Sequence, residues 1–301
     1  MARSTIALIP AGGMISSPPN EAPVPKALFP VLGRPMLDYI VQAAEHSSVE
    51  KIFIIQDNGV NLQPHLSPAS KIVILEKGRE ILSPGAGFTD ALRKIARYYG
   101  PEEIKNKNIM LLPCDTPAVT SRMIDELAPR AARSHADVIF TVLPSQLVEQ
   151  RFPDKRFYKF YLADKKGWYT VPFVYFINGE FFQFLPGSSP DSSFITVRDY
   201  DDARLKSFEN LLNSIDNMRK DFGFTFKFFA RWMLEDGNMF KVLKTLIISK
   251  CKKMTVEKFI AFDYQIFKDH IEVIDNQEPE FCGDIDKPDD VAAVLGELVQ
   301  T

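Results

Sequence analysis

The sequence predicts an α/β protein of three layers, with helices on both faces of a mixed, mostly parallel sheet. Short apolar runs rich in β-branched residues recur along the first half of the chain, as expected of strands that are covered on both faces. Helical patterns separate these runs. Because strand–helix alternation favours right-handed crossovers, the sheet is expected to be largely parallel.

The composition is that of a globular protein with ample material for a core. Of the 301 residues 46% are hydrophobic, and we expect one domain over 1–301, with 145–275 as a hairpin plus helical insertion. A net charge of −3 gives no reason to expect a nucleic-acid partner. Three cysteines without a C-x-x-C pair argue against disulfides and structural zinc. The lack of a leader pattern, and of an apolar run of about 20 residues, predicts a cytoplasmic protein.

The strands are predicted where the apolar runs occur. The runs are 4–9, 51–55, 71–75, 109–112 and 137–142, and Pro10 follows the first of them. Helical patterns cover 36–46, 88–98 and 121–134. After Pro144 a hairpin is predicted over 158–171 and a further strand over 174–177. Helices follow from about 202 to 270, then a short strand at 271–274 and a final helix from near Pro288.

The first strand ends in small residues that allow a ligand to approach the backbone. Pro10-Ala11-Gly12-Gly13 follow the apolar run, and Lys26 comes after a loop rich in proline and serine. In open α/β sheets a phosphate binds at this end of a strand, where N–H groups bind oxyanions and a lysine adds a point charge. A tight turn with a surface lysine would give the same pattern.

Asp115 comes three positions after the end of the run 109–112, which is expected to be a buried strand, and is therefore expected at the carboxyl edge of the sheet. A carboxylate there can hold Mg²⁺, which needs only one or two protein carboxylates. The alternative is a turn or N-cap residue before Pro117. Cys114 beside it is predicted to be a buried strand residue.

Two further acidic residues, Asp284 and Asp286, alternate near the C-terminus. On an extended segment they would point to opposite sides, so only one is expected to face a given site. Capping of the final helix, together with Asp289 and Asp290, is the alternative.

A fourth stretch places small residues at the start of a helix. Gly85, Ala86, Gly87 and Thr89 would let the backbone lie flat against a planar ligand or a phosphate. A plain loop followed by an N-cap needs no ligand.

The order of these pieces resembles the MobA-like nucleotidyltransferases, with the wider sugar-phosphate nucleotidyltransferases and the GT-A glycosyltransferase fold. Those proteins begin with a strand and L-x-A-G-x-G-x-R, followed by P-K-x-L and G-x-P-M-L. The matching residues here are 8–13, 25–28 and 33–37. The family's strand-end aspartate matches Asp115, and its closing D-x-D-T-P-E-D-L element matches 284–291.

The resemblance implies a GT-A-like fold with a Rossmann-like N-terminal half. It implies transfer of a nucleoside monophosphate from an NTP to a phosphate- or hydroxyl-bearing acceptor, with release of pyrophosphate. Asp115 and Asp286, with Asp284 as a substitute, would hold Mg²⁺ across the phosphates. Lys26 would act with Asp115 as a catalytic residue, the backbone of 10–13 would lie against the nucleotide, and 85–89 would serve the base.

One part of the family pattern is missing. The second loop glycine and the arginine that faces the triphosphate should fall near 14–17, where the chain has Met14-Ile15-Ser16-Ser17. Arg34 or Arg79 could compensate. A catalytically silent nucleotide-binding or regulatory homologue is therefore an alternative function. A GT-A-type glycosyltransferase that consumes a sugar nucleotide is another.

The middle of the chain lies outside the resemblance. Several basic residues there can attract a phosphorylated acceptor or form a solvated face: Lys155, Arg156, Lys159, Lys165 and Lys166. The apolar stretch 222–253 is predicted to pack on the sheet as a helical cap rather than to rest on a membrane surface. The base, the acceptor and the oligomeric state stay open.

Overall fold

The computed structural model describes residues 3–15, 22–57, 59–66, 71–76, 84–136, 138–155, 157, 159–162, 165–172, 174–179, 182–184, 195–197 and 271–296. Its strands are β1 (Ser4–Pro10), β2 (Met14–Ile15), β3 (Val24–Pro25), β4 (Pro30–Val31), β5 (Arg34–Pro35), β6 (Ile52–Gln56), β7 (Ile72–Glu76), β8 (Lys107–Leu111), β9 (Val138–Pro144), β10 (Phe160–Leu162), β11 (Gly167–Thr170), β12 (Tyr175–Asn178), β13 (Phe182–Phe184), β14 (Ile195–Val197) and β15 (Ile271–Asp275). Its helices are α1 (Met36–Glu45), α2 (Pro84–Ile104), α3 (Ser121–Ala131), α4 (Ser145–Arg151) and α5 (Asp290–Leu295).

Within the described residues, nine strands form one mixed, mostly parallel sheet. Their order is β10-β11-β9-β12-β8-β1-β6-β7, with β15 also paired to β9. The strands β7, β6, β1 and β8 are parallel neighbours. β12 lies antiparallel between β8 and β9, and β15 is parallel to β9. The carboxyl ends of β1, β6, β8, β9 and β15 therefore share one edge of the sheet.

Helices cover both faces of this sheet, which confirms the three-layer α/β/α class. Alternate residues of β1 face opposite sides, as the strand period requires. Ala7 and Ile9 pack in the cluster that contains α1 and α3. Ile6 and Leu8 pack with Ile95 and other residues of α2 on the other face.

Most predicted elements are found close to their expected bounds. The five strands of the first half are β1, β6, β7, β8 and β9, and the predicted hairpin is β10–β11, with Phe160 opposite Tyr169. α2 begins at Pro84, before the predicted start at 88, because proline suits the first turn of a helix. α2 is interrupted at Gly100, whose φ is +76°.

Part of the predicted insertion is in the main sheet. β11, β12 and β15 all lie within 145–275 and pair with β8 or β9. The predicted helices between 202 and 270, including 222–253, lie outside the described residues. In the part of the chain that is described, no helix has the length and apolar character needed to cross a membrane.

Candidate active site

In the turn after β1, the backbone packs closely against the carboxylate of Asp57. Ala11 donates its N–H to Ile55 O on β6 (2.9 Å), which continues the sheet pairing beyond β1. Gly13 has a positive φ of 92°, a conformation that glycine adopts at little cost. Its N–H donates to Asp57 Oδ2 (3.2 Å). A Cβ on Gly12 would lie only 2.8 Å from the same oxygen, so the glycine turn and Asp57 form one packed unit.

Lys26 is brought back to the glycine turn by a short antiparallel pairing. β2 pairs with β3, with Met14 opposite Pro25. The backbone N–H of Lys26 donates to Gly13 O (2.9 Å). A 3₁₀ turn then begins at Lys26, and its side chain is only 14% exposed. The predicted lysine and the predicted glycine turn are therefore neighbours.

Asp115 lies beyond the carboxyl end of β8, as its place in the sequence predicted. Leu112 donates its N–H to Leu8 O (2.9 Å), so the pairing with β1 continues to that point. Asp115 Oδ2 accepts from Lys26 Nζ (2.5 Å). Its Oδ1 atom is buried and has no hydrogen-bond partner among the described residues. The neighbouring Cys114 is buried as expected, and burial raises the pKa of its thiol.

The acidic residues near the C-terminus lie on a loop between a 3₁₀ turn (Pro279–Cys282) and α5. Ile285 donates its N–H to Asp115 O (2.9 Å), which joins this loop to the end of β8. The Ile285 side chain is fully buried in a cluster with residues of β2, β4 and α1. Asp290, the first residue of α5, accepts from the N–H groups of Asp286 and of the next residue (3.0 and 3.1 Å). The loop is thus fixed at both its ends.

Three carboxylates meet beside the glycine turn in the described structure. One oxygen each of Asp115, Asp284 and Asp286 lies within 4.8 Å of the other two. Lys26 Nζ is 2.5 Å from Asp115 Oδ2 and 2.5 Å from Asp286 Oδ1. The sequence predicted that only one of the two C-terminal aspartates would face the site. Both do so, because residues 283–285 lie outside any strand and the alternation of sides holds only for strands.

The charge on Lys26 is set by these carboxylates. Burial of the ammonium opposes its charge, but the fields of Asp115 and then of Asp286 outweigh burial and raise the pKa of Lys26 above its ordinary range. Lys26 is therefore a cation at physiological pH.

The donor atoms of this cluster suit a hard divalent cation. Carboxylate oxygens are the ligands that Mg²⁺ and Ca²⁺ prefer in proteins. The buried Asp115 Oδ1 lacks a partner among the described residues, and a buried acceptor without a partner calls for an explanation such as an ion. The residues present therefore fit a metal ion.

Two contacts of the site were not predicted from the sequence. Asp57 directly follows β6, as Asp115 follows β8, so the same signal of an acid after a buried run could have found it. Lys155 contacts Asp284, 129 positions away. It was expected only as one of several hairpin lysines, because a partner so distant in the chain leaves no pattern in the sequence.

The stretch 14–17 stands where the family has its second glycine and its arginine, and of these residues only the apolar Met14 and Ile15 are described. Met14 is 56% exposed, whereas Ile15 is fully buried. Arg34, one of the two candidate substitutes, pairs with Asp38 (2.6 Å) on α1. Arg79 lies outside the described residues. Arg34, on β5, is thus paired with the first turn of α1.

The glycine-rich stretch forms the first turns of α2 rather than a loop ahead of it. Gly85, Ala86, Gly87 and Thr89 all lie within Pro84–Ile104. α2 follows β7, whose carboxyl end lies at the same sheet edge as that of β6. Contact of these residues with a base stays a prediction.

Three solved structures show the same fold at low sequence identity. A hypothetical transferase from Thermus thermophilus is 15% identical and has a TM-score of 0.61, with 96% of this chain and 99% of that chain covered. A CMP:2-keto-3-deoxy-manno-octonic acid synthetase complexed with CTP is 13% identical, with a TM-score of 0.51 and 99% of both chains covered. The 4-diphosphocytidyl-2C-methyl-D-erythritol synthase from Anaerococcus prevotii is 8% identical, with a TM-score of 0.50 and coverages of 100% and 97%.

A family comparison gives the narrower assignment. The model of the MobA-like NTP transferase domain matches residues 7–167. This match runs from β1 through the glycine turn, Lys26 and Asp115 to the β10–β11 hairpin, and covers more than half of the chain. The chain therefore belongs to the MobA-like NTP transferase family.

Proposed function

We propose that this chain is a Mg²⁺-dependent nucleotidyltransferase that transfers a nucleoside monophosphate from an NTP to a phosphate- or hydroxyl-bearing acceptor. The observation that carries the proposal is that Lys26 Nζ lies 2.5 Å from an oxygen of Asp115 and of Asp286, beside the glycine turn. In the reaction an acceptor oxygen bonds to the α-phosphorus. The bond from that phosphorus to the oxygen bridging the β-phosphate breaks, pyrophosphate leaves, and a hydroxyl acceptor gives up its proton to water.

Asp115 and Asp286 would hold the metal ion, with Asp284 as the substitute ligand. The buried Oδ1 of Asp115, which has no partner among the described residues, supports this role. The hydrogen bond from Ile285 N–H to Asp115 O supports it too, because it keeps the two acidic segments together. When bound, Mg²⁺ supplies positive charge to the phosphates and aids the departure of pyrophosphate.

Lys26 would bind the phosphates and help to align them for in-line attack. Its permanent charge and its position next to Gly13 support this role. The triphosphate competes with Asp115 and Asp286 for the ammonium, so Lys26 moves from the carboxylates towards the nucleotide. The backbone of Pro10-Ala11-Gly12-Gly13 would lie along the nucleotide, and the start of α2 would serve the base.

We propose further that 1–301 form a single domain, in which 145–275 supply the acceptor side. The pairing of β11, β12 and β15 with the main sheet supports one domain. The carboxyl ends of β9 and β15 open on the same sheet edge as the end of β8. An acceptor held there would approach the nucleotide from the side opposite β6.

The test is pyrophosphate release from each of the four NTPs with Mg²⁺ and a panel of phosphorylated and hydroxylated acceptors. We expect release with at least one combination, and its loss in Asp115→Asn with folding near normal. Asp125→Asn is the matched control, because Asp125 lies on α3 and binds Ser48 (2.7 Å). Unchanged turnover in Asp115→Asn would remove Asp115 from the site.

A catalytically silent nucleotide-binding homologue is the second candidate. The stretch Met14-Ile15-Ser16-Ser17 in place of the family's second glycine and arginine favours it, as does the pairing of Arg34 with Asp38. Retained NTP binding without pyrophosphate release from any combination would support this function over catalysis.

A further inference from the structure

Lys155 forms a second, separate ion pair inside the acidic cluster. Its ammonium donates to the backbone oxygen of Asp284 and lies 3.3 Å from Asp284 Oδ1. The side chains of Lys155 and Asp284 are 15% and 12% exposed, whereas that of Asp286 is 50% exposed. The Asp284 side chain is therefore largely buried and paired with Lys155, whereas the Asp286 side chain is half exposed to solvent.

The two lysines pair with different carboxylates of the cluster. Lys26 bridges Asp115 and Asp286, while Lys155 pairs with Asp284. A cation that displaces Lys26 would find the oxygens of Asp115 and Asp286 released together. The Asp284 carboxylate would keep its own ammonium, because Lys155 is also bound to the backbone oxygen of Asp284.

The segment that carries Lys155 is anchored to the same loop at two other points. Arg151, at the end of α4, pairs with Glu280 (3.1 Å) and donates to Val294 O (3.1 Å) on α5. The Phe152 ring lies against Gly283, where an added Cβ would come within 2.7 Å of it. The segment that carries Lys155 is thus held in place by these contacts.

We propose that Lys155 is a positioning residue that keeps Asp284 out of the metal coordination shell. It thereby determines which divalent ion the site binds and makes that binding depend on the nucleotide. This inference rests on the proposed function, since it concerns the same metal site. With Asp284 held by Lys155, the protein offers two carboxylates, and the triphosphate must complete the shell. Mg²⁺ is commonly bound through one or two carboxylates plus substrate phosphates, whereas Ca²⁺ takes six to eight oxygens and accepts bidentate carboxylates.

Removal of the Lys155 charge should therefore create a three-carboxylate site. We expect Lys155→Met to bind Mn²⁺, used as the spectroscopic probe, about tenfold more tightly without nucleotide, which is the scale of changes around metal ligands. Ca²⁺ should also compete with Mn²⁺ better in this variant than in the natural chain. Electron paramagnetic resonance of free Mn²⁺ measures both quantities without requiring turnover.

Three further variants separate positioning from a general structural effect. Lys107→Met is the matched control, because Lys107 is similarly buried and pairs with Glu50 (2.7 Å) at the amino end of β8. It should leave Mn²⁺ binding unchanged. Lys155→Arg should restore the natural ion preference, and the double variant Lys155→Met/Asp284→Asn should lose the gain in affinity.

Equal Mn²⁺ affinity and equal Ca²⁺ competition in Lys155→Met and Lys107→Met would overturn the proposal. If Lys155→Met does not fold, Mn²⁺ binding by Asp284→Asn tests the proposal instead. This variant should leave Mn²⁺ binding in the presence of NTP unchanged, whereas Asp286→Asn should weaken it. An equal loss in both variants would make Asp284 a ligand and overturn the inference. A natural chain that binds Mn²⁺ neither alone nor with NTP would overturn the proposed metal site as well.

Discussion

At the scale of single residues, Gly12 shapes the turn after β1 by lacking a side chain. Asp57 Oδ2 occupies the space that a Cβ would need, at 2.8 Å. The same oxygen accepts the N–H of Gly13 (3.2 Å). A side chain at position 12 would therefore displace the carboxylate that orders the next residue.

We expect Gly12→Ala to lower the free energy of unfolding by about 1 kcal/mol, the scale of one hydrogen bond, and to raise the KM for NTP. Denaturant unfolding and initial-rate kinetics measure the two effects. In an Asp57→Ala background the collision is absent, so the same substitution should cost much less. An equal cost in both backgrounds would show that Asp57 is not what Gly12 avoids.

The site residues that could be predicted are those that occupy a recognisable position in a local sequence pattern. Asp115 follows a continuous apolar run, and Gly12 and Gly13 follow another. The parallel strands place the glycine turn and Asp115 at one edge of the sheet. The β2–β3 pairing brings Lys26 to the same place, and the loop before α5 adds Asp286. The pairing of Lys155 with Asp284 had no such signal, since side-chain partners far apart in the chain share neither period nor motif.

At the scale of elements, the loop after the 3₁₀ turn Pro279–Cys282 depends on one apolar residue. Ile285 is fully buried between two aspartates. Its side chain joins the cluster formed by Ile15, Val31 and Met36, and its N–H binds Asp115 O. Burial of Ile285 therefore fixes where the neighbouring carboxylates point.

Ile285→Ala should cost about 2–4 kcal/mol of unfolding free energy, as expected for a large-to-small change in a core. It should also weaken Mn²⁺ binding in the presence of NTP, although no charged residue is altered. Denaturant unfolding and Mn²⁺ titration test the two effects. Ile95→Ala is the control, because Ile95 is equally buried but lies on α2. Unchanged Mn²⁺ affinity in Ile285→Ala would mean that the loop is held by its hydrogen bonds alone.

The strands and helices were predictable wherever an element was long enough to show a period. β6 and β8 fall on continuous apolar runs, and α1 on a helical pattern. The two-residue strands β2 and β3 were not foreseen, because two residues carry no period. They nevertheless bring Lys26 back to Gly13.

At the scale of the whole molecule, the candidate site is assembled from both ends of the chain. The glycine turn and Lys26 come from the N-terminal part, and Asp286 from the last loop before α5. The main sheet and the two clusters on its faces draw on residues up to Phe281. The main sheet and these two clusters therefore do not include the acidic loop, which together with α5 completes a third cluster around Ile15, Val31 and Met36.

A chain shortened after Gly283 should keep the sheet and lose its response to Mg²⁺ and NTP. In the full chain, the Mg²⁺ complex of NTP at a concentration 100 times its Kd should stabilise the fold by about 2.7 kcal/mol. This stabilisation is seen as a rise in Tm. The shortened chain should melt at a lower temperature with no such rise. A rise equal to that of the full chain would place the binding groups elsewhere, and circular dichroism verifies that the sheet is retained.

The late position of Asp286 also bears on how the protein is made. Synthesis proceeds from the N-terminus, so the glycine turn and Lys26 are synthesised long before the second carboxylate. A chain whose synthesis stops before Asp286 lacks part of the candidate cation site. Under the proposed function, NTP is then consumed only by polypeptides that have been translated as far as this residue.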